Sequence, residues 1–181
     1  VQRAHLRAAA ADGSTPVALL AEARILALRE RGDEALTLAA RGGGSAYESD
    51  FGTVSDRLSG PNGLLAAATR TLDGDAREAV RSATANHTAY VEAHTEVRRL
   101  DDAGDYDGAV KLAIGPETSE TFENLTGAIG QAIESSKADF DREIGVAGRG
   151  LGLLTFLGPL LGLVIAGLAA IGIRARLEEY R

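Results

Sequence analysis

Apolar residues recur every three or four positions along most of the chain, which is the period of an amphipathic α-helix. No stretch alternates polar and β-branched residues in the way that a half-buried strand does. Clusters of Gly, Pro, Ser and Asp interrupt the helical pattern at intervals. The sequence therefore predicts an all-α fold.

The breaks divide the chain into four long helical segments and one short one. The predicted segments are residues 14–41, residues 45–72 with an interruption at 60–63, a third helix from residue 73, a short helix at 105–114, and a fourth long helix from about residue 118. The first helix is expected to begin after a break at Asp12-Gly13, because Ser14-Thr15-Pro16 is typical of a helix start. Four long helices with narrow apolar stripes indicate an antiparallel up-down four-helix bundle.

Three of the long helices carry a stripe of apolar or small residues. The predicted stripes are Ala18, Ala21, Ile25, Leu28, Gly32, Ala35 and Ala39 on the first helix, Ala76, Val80, Ala83, His87, Tyr90, His94 and Val97 on the third, and Phe122, Leu125, Ile129, Ile133, Ser136 and Phe140 on the fourth. No break follows in the fourth helix before Arg149, so we expect it to continue into the next segment.

Residues 150–173 form a run of 24 uncharged, mostly apolar residues. About 20 such residues span the hydrocarbon core of a bilayer, so the run predicts a single transmembrane helix. The short tail after it is Arg-rich, which places the C-terminus in the cytoplasm by the positive-inside rule. The predicted division is residues 1–13 as the end of a preceding helix or a linker, 14–149 as an extracytoplasmic bundle, 150–173 as the membrane helix and 174–181 as a short cytoplasmic tail.

The predicted membrane helix carries a small residue every fourth position, at Gly158, Gly162, Ala166 and Ala170. Such a ladder lets two helix backbones approach closely, as in membrane helix dimers. The spacing therefore predicts a transmembrane dimer face in a homodimer. The alternative is that the ladder only reflects the high Gly and Ala content of the chain.

Composition narrows the class of protein. The net charge is −7, and the chain has no Cys, Met or Trp. The missing cysteines exclude disulfides and thiolate metal sites, and an acidic chain without a basic patch argues against nucleic-acid binding. Because no methionine is present, we expect that residue 1 is not the natural start of translation.

His87, Tyr90 and His94 are the candidate functional residues of the bundle. They share one face of the third helix, and the two histidines lie two helical turns apart, which is too far to chelate one metal ion. One interpretation is a polar layer in the bundle core that fixes the helix register. The other is an element that responds to pH or to a ligand, because His titrates near neutrality.

Known catalytic and cofactor motifs are missing from the sequence. The Asp105-Tyr106-Asp107-Gly108 turn lacks the flanking carboxylates of a calcium loop and is better interpreted as a helix N-cap. Gly42-Gly43-Gly44 lacks the strand and the GK[ST] signature of a phosphate loop. Arg98 and Arg99 either receive a carboxylate ligand or complement the dipole of their own helix. We expect no enzymatic activity, no cofactor and no metal.

The arrangement resembles the four-helix-bundle extracytoplasmic sensor domains of bacterial chemoreceptors and histidine kinases. The acidic turn at residues 100–109 resembles a turn that is frequent before the last helix of those bundles. Residues 28–42 and 172–181 are similar to the actinobacterial membrane sensor that acts with a glutamine-binding lipoprotein and a serine/threonine protein kinase. The resemblance implies a bundle that passes a signal through its last helix.

We therefore expect a membrane-anchored bacterial sensor or signal-relay domain. It would bind a small ligand or a ligand-binding partner and transmit a helix displacement across the cell membrane. The expected partners are the membrane, a second copy of the chain, a solute-binding lipoprotein outside and a signalling protein inside. The alternative is a structural or scaffolding protein of the bacterial cell envelope.

Overall fold

The computed structural model describes the backbone of residues 2–142 and the side chains of residues 16–142. Its helices are α1 (Gln2–Ala39), α2 (Ser45–Ser59), α3 (Leu64–Thr71), α4 (Gly74–Asp102), α5 (Tyr106–Ala113) and α6 (116–142). Between residues 2 and 142 there is no β-strand. The all-α prediction is confirmed for this part of the chain.

Most of the predicted breaks lie where the sequence places them. The interruption at 60–63 separates α2 from α3, and Asp73 immediately precedes α4. Asp105 caps α5, because its carboxylate accepts a hydrogen bond from the backbone N–H of Gly108 at 3.0 Å. The turn at residues 105–108 is therefore a helix cap, as its sequence indicates.

The predicted start of the first helix is wrong. The helix α1 begins at Gln2 and continues without interruption through Asp12, Gly13 and Pro16. Proline inside a helix removes a single backbone hydrogen bond, and a long helix retains the bonds on both sides of it. The assignment of residues 1–13 to a separate segment stays a prediction.

The core lies in a compact unit that comprises Val1–Ala138. One apolar cluster joins residues of α1, α2, α3, α4 and α6, and its largest fully buried members are Leu20, Leu58, Leu65, Leu125 and Ile129. A smaller cluster joins Leu38 of α1 and Val97 of α4 to Ala109 and Ala113 of α5. Along α1 and α4, buried polar residues lie between the residues of the larger cluster and those of the smaller one. These polar residues form the site described below. Of the second unit, Asp139–Arg181, the structure describes only the helical residues 139–142.

The turn between α1 and α2 depends on a close approach of two backbones. A Cβ atom on Gly44 would lie 2.7 Å from the Cα and carbonyl oxygen of Thr37, a distance that real Cβ atoms do not reach. Gly42 has a φ of 88°, in the left-handed region that favours glycine. The glycines at the end of α1 therefore bring the N-terminus of α2 directly against it.

The stripe predicted on the first helix does not face the core. All seven residues, Ala18, Ala21, Ile25, Leu28, Gly32, Ala35 and Ala39, are exposed. The buried face of α1 instead carries Leu20, Ala23, Leu26, Ala27, Glu30, Asp33, Glu34, Thr37 and Leu38. Apolar periodicity misses this face because three of its residues are carboxylic acids, of which Glu30 and Glu34 are hydrogen-bonded to His87 and His94 inside the protein.

Within residues 2–142, no helix is both long enough and apolar enough to cross a membrane. The predicted span at 150–173, its small-residue ladder at Gly158, Gly162, Ala166 and Ala170, and the tail at 174–181 lie outside the described residues. These assignments stay predictions.

Candidate functional site

The candidate site is a layer of ionisable side chains inside the bundle. We call it the His–Glu layer and define it by Glu30 and Glu34 of α1, Glu48 of α2, and His87 and His94 of α4. Glu30, Glu34, His87 and His94 are all at least 97% buried, whereas Glu48 is half-buried at the edge. The four-residue spacing on α1 and the seven-residue spacing on α4 place two carboxylates opposite two imidazoles.

His87 bridges α1 and α2. Its Nε2 atom lies 2.9 Å from Oε1 and 3.1 Å from Oε2 of Glu30, so the Nε2–H group donates to this carboxylate. Its Nδ1 atom lies 2.7 Å from the hydroxyl oxygen of Ser59. A hydroxyl can donate or accept, so Ser59 matches both the neutral and the protonated imidazole.

His94 lies between two carboxylates. Its Nδ1 atom is 2.9 Å from Oε2 of Glu34, and its Nε2 atom is 3.2 Å from Oε1 of Glu48. A neutral imidazole has only one N–H donor, and an ionised carboxylate can only accept. Both hydrogen bonds therefore form only when the group of three carries an additional proton, on the imidazole or on one carboxyl.

Aromatic rings enclose the layer. Phe51 of α2 stacks on the His94 ring, with 3.7 Å between the centroids and an angle of 13° between the planes. The Tyr90 ring lies between the two histidines on α4 and 5.4 Å from the Phe122 ring of α6. Burial, and then the negative charge of Glu34, raise the pKa of Tyr90 above its ordinary value. The Tyr90 hydroxyl has no hydrogen-bond partner among the described residues, so the ring serves the layer through packing.

Two arginines compensate the carboxylates of the layer. Arg31 donates to Oε1 of Glu34 and to the backbone carbonyl of Ala113, both at 2.8 Å, and so connects α1 to the end of α5. Arg98 lies 3.3 Å from Oε2 of Glu48, a separation at which the charges attract although no hydrogen bond is formed. Arg98 thus connects the edge of the layer, at Glu48, to the surface.

The guanidinium of Arg98 also binds the end of its own helix. It donates to Asp102 at 2.7 Å and to Asp101. Arg99, the other arginine singled out from the sequence, donates to Glu96 at 2.7 Å on the exposed face of α4. Of the two, only Arg98 contacts the layer.

Asp33 is a buried carboxyl next to the layer on α1. Burial chiefly raises the pKa of Asp33, repulsion from Asp50 adds to this, and attraction by Arg29 opposes it. Arg29 itself lies 3.9 Å away and is paired with Asp50. Asp33 is therefore the carboxyl of α1 whose ionised form is penalised by the fold.

A small cavity of about 290 Å³ opens where the layer meets the surface. It is lined by Thr37, Gly42, Gly44, Ser45, Glu48, Arg98, Asp101 and Asp102. Glu48 belongs to both the cavity wall and the His–Glu layer, and Arg98 of the wall lies 3.3 Å from it. A molecule in the cavity would therefore contact the carboxylate that holds His94.

Sequence reasoning found one side of the layer and missed the other. His87, Tyr90 and His94 lie on one buried face of α4, as their spacing indicates. The partners Glu30, Glu34 and Glu48 were missed, because charged residues are normally assigned to the surface. The sequence does show Glu30 and Glu34 one helical turn apart on the first helix. This spacing alone does not identify the histidines as their partners.

Within residues 16–142, no group of three or more His, Asp and Glu side chains is arranged to hold a metal ion. The two nitrogens of His94 face carboxylates on opposite sides of the ring, so they cannot converge on one ion. The contacts of the layer are hydrogen bonds and ion pairs between helices.

No protein-family model, curated protein or solved structure matches the chain.

Proposed function

We propose that this chain is the sensor or signal-relay part of a bacterial membrane protein. In this proposal an extracytoplasmic up-down four-helix bundle is joined by its last helix to a single transmembrane helix at 150–173. A ligand or a ligand-binding partner protein changes the bundle, and α6 passes a small displacement across the membrane. A solute-binding lipoprotein outside and a signalling protein inside are the proposed partners.

The pairing of residues between helices supports an up-down arrangement. Between α1 and α2, Glu22 pairs with Arg57 and Arg29 pairs with Asp50. The residue number therefore rises along α1 while that of its partner falls along α2. Along α2 and α4, Glu48 contacts His94 and Ser59 contacts His87, again in opposite order. Reversed order is the signature of antiparallel neighbours.

The observation that carries the proposal is the position of the His–Glu layer in the core. A buried ion pair is seldom a better source of stability than apolar side chains of similar volume. Here the layer connects α1, α2 and α4 through the buried hydrogen bonds of His87 and His94. An element of this kind can have two arrangements, which a relay needs and a static spacer does not.

The cavity beside the layer supports an input at this end of the bundle. Its lining residue Glu48 contacts both His94 and Arg98, so occupancy would change the balance of charges around the imidazole. A ligand shifts an equilibrium only through different affinities for its two states. Contact with a group of the layer provides such a difference.

The proposed relay is tested by rotating the predicted membrane helix about its axis relative to the bundle. We call this angle the helical phase. A single alanine inserted after Gly148 rotates the following helix by about 100° and shifts it by about 1.5 Å. Seven inserted residues nearly restore the phase, because two turns take about 7.2 residues. The variants replace the wild-type gene in the native host, and the output is the set of phosphorylation changes that deletion of the gene causes.

A relay predicts that the one-residue insertion abolishes or locks this output and that the seven-residue insertion largely restores it. Membrane fractionation of both variants controls for loss of the protein. The alternative function, a scaffold of the cell envelope, predicts that both insertions are tolerated, because neither disturbs the packed core. Indifference to both insertions would therefore contradict the relay.

A further inference from the structure

The cavity beside the His–Glu layer is enclosed by three helices and the turn between two of them. Thr37 comes from the end of α1, Ser45 and Glu48 from the start of α2, and Arg98 from the end of α4. Thr37 and Gly44 are buried, whereas Ser45 is exposed, so the cavity extends from the interior to the surface. Its volume of about 290 Å³ is near the lower limit for small-molecule sites, which is about 300 Å³.

The hydroxyl of Thr37 is a buried polar group in the cavity wall without a hydrogen bond. Thr37 is only 2% exposed, and its Oγ1 atom has no partner among the described residues. The hydroxyls of Thr84, Thr88 and Thr95 on α4 each donate to the backbone carbonyl four residues earlier. A buried hydroxyl without a partner is costly. A molecule in the cavity would provide the partner that the fold does not supply.

A second oxygen of the wall also lacks a hydrogen bond. Oε2 of Glu48 is buried and accepts none, although Nε of Arg98 lies 3.3 Å away. Oε1 of the same carboxylate contacts His94. An ionised carboxylate oxygen can only accept, and a hydroxyl can accept as well. The two oxygens of the wall therefore match a ligand that offers hydrogen-bond donors.

The charges of the cavity wall favour a cation. Arg98 is its cationic side chain, and its carboxylates are Glu48, Asp101 and Asp102. One positive charge against three negative charges leaves a formal charge of −2. The additional proton held around His94 would reduce this to −1. Hydrogen bonds from a charged N–H donor to a carboxylate are about twice as strong as neutral ones, so a positively charged donor matches the wall best.

The positive groups of the wall are already compensated, which disfavours an anionic ligand. The guanidinium of Arg98 donates to Asp101 and Asp102. The N-terminus of α2 also carries a partial positive charge, and Glu48 lies in its first turn, where a carboxylate complements the helix dipole. An anion would have to displace these carboxylates.

Within residues 16–142, the carboxylates are not arranged to hold a metal ion, so the cation that fits is organic. We propose that the cavity binds a small organic cation with primary ammonium groups, whose N–H donors bind Oε2 of Glu48 and the hydroxyl of Thr37. The role of this cation as the input of the relay rests on the proposed function. Binding itself depends only on the cavity.

Four-carbon probes of different charge distinguish the classes of ligand. The purified full chain, in a nonionic detergent and phosphate buffer, is titrated with 1,4-diaminobutane, 4-aminobutyrate, succinate or 1,4-butanediol in an isothermal titration calorimeter. We expect 1,4-diaminobutane to bind at least about ten times more tightly than the other three, because only this probe combines charged N–H donors with no negative charge. Equal affinity for 4-aminobutyrate would reject a cation site in favour of a zwitterion site, and equal affinity for 1,4-butanediol would show that charge has no part in binding.

Thr37→Val tests the site without removing a hydrogen bond of the fold. The variant should keep the urea midpoint of wild type, because the lost hydroxyl has no partner. Its affinity for 1,4-diaminobutane should fall about tenfold, the effect of losing a hydrogen bond to a charged group. Glu48→Gln should weaken binding at least as much. Glu78→Gln removes an exposed carboxylate that does not line the cavity, and should change the affinity by less than about twofold because such a charge is screened.

Two results would overturn the site. One is no binding of 1,4-diaminobutane to the wild-type chain, and the other is undiminished binding to both Thr37→Val and Glu48→Gln. If Glu48→Gln perturbs the fold through His94, Thr37→Val alone decides. Binding that depends on Thr37, in a protein whose output is indifferent to both insertions after Gly148, would support the cation site and reject the relay.

Discussion

At the scale of single residues, the balance between burial and pairing decides the behaviour of the His–Glu layer. Glu30 is fully buried, and its two oxygens share one donor, Nε2 of His87. Removing one partner of a buried pair leaves the other as a buried, uncompensated charge, which is strongly destabilising. Replacing both partners with apolar residues leaves no buried charge and is often neutral or stabilising.

His87→Leu should lower the free energy of unfolding by about 3–5 kcal/mol, because it leaves the Glu30 carboxylate buried without its donor. The double variant Glu30→Leu with His87→Leu should recover most of this loss. Urea denaturation followed by circular dichroism measures both effects. Glu78→Gln, in an exposed pair with Arg81, is the matched control and should change stability by no more than about 0.5 kcal/mol. Additive losses in the double variant would contradict a coupled buried pair.

The buried carboxyl of Asp33 should make the stability of the fold depend on pH. Its pKa is raised in the folded state, mainly by burial, so the folded state binds this proton more tightly than the unfolded state does. The contribution of Asp33 to stability therefore falls as pH rises from its unfolded pKa, about 3.9, through its higher folded pKa. Asp33→Asn removes this dependence.

We expect the stability of Asp33→Asn relative to wild type to increase with pH across that window and then to level off. Urea denaturation at a series of pH values, from acid to neutral, measures the difference. The size of the stability difference between Asp33→Asn and wild type depends on how the introduced amide is accommodated. The change of that difference with pH does not. Parallel profiles of the two proteins would contradict a raised pKa at Asp33.

At the scale of single helices, short elements depend on their caps. The helix α5 has only eight residues, and its N-terminus is held by the Asp105 carboxylate. A Cβ atom on Gly108 would meet the Asp105 carboxylate, so a larger residue there would have to displace the capping side chain. The end of α5 provides the Ala113 carbonyl that Arg31 binds, and the cap therefore supports one edge of the His–Glu layer.

Asp105→Ala should lower stability by about 1 kcal/mol, the usual cost of losing an N-cap, and Asp105→Asn should retain most of it. Hydrogen exchange of the α5 backbone amides should rise in the alanine variant. Asp107→Ala, in the same first turn but without a capping bond, is the control and should have a smaller effect. Equal protection of α5 in all three variants would show that packing alone holds the helix.

The helix α1 shows how one element can carry two different faces. Its buried face contains the carboxylates Glu30, Asp33 and Glu34, while its apolar heptad stripe faces solvent. Ordinary amphipathic reasoning assigns these faces the other way round. The buried acids Glu30 and Glu34 are tolerated because they hydrogen-bond to histidines of α4 within the molecule.

At the scale of the whole molecule, the described residues combine two apolar clusters with a polar layer. Leu20 and Leu26 of α1 belong to the larger cluster and Leu38 belongs to the smaller one, and Glu30 and Glu34 lie between them in sequence. The helix α4 repeats this order, with Val80 before His87 and Val97 after His94. The polar layer therefore has apolar packing on both sides of it along α1 and α4.

The sequence by itself determined the helical class, most of the breaks and the buried face of α4. These features follow from local rules, because glycine and proline interrupt helices wherever they cluster and a period of 3.6 identifies the residues that share a face. The interruption at 60–63, the cap at Asp105 and the shared face of His87 and His94 are all local in this sense.

Only the tertiary structure decided which face of α1 is buried and which carboxylates meet the histidines. Glu30 and His87 are 57 residues apart in sequence, and Glu34 and His94 are 60 apart. Burial of an ionised carboxylate is costly unless a donor compensates its charge, and His87 and His94, which contact Glu30 and Glu34, come from another helix. The burial of Glu30 and Glu34, and with it the exposure of Ile25 and Leu28, is therefore a property of the assembled bundle and not of any one helix.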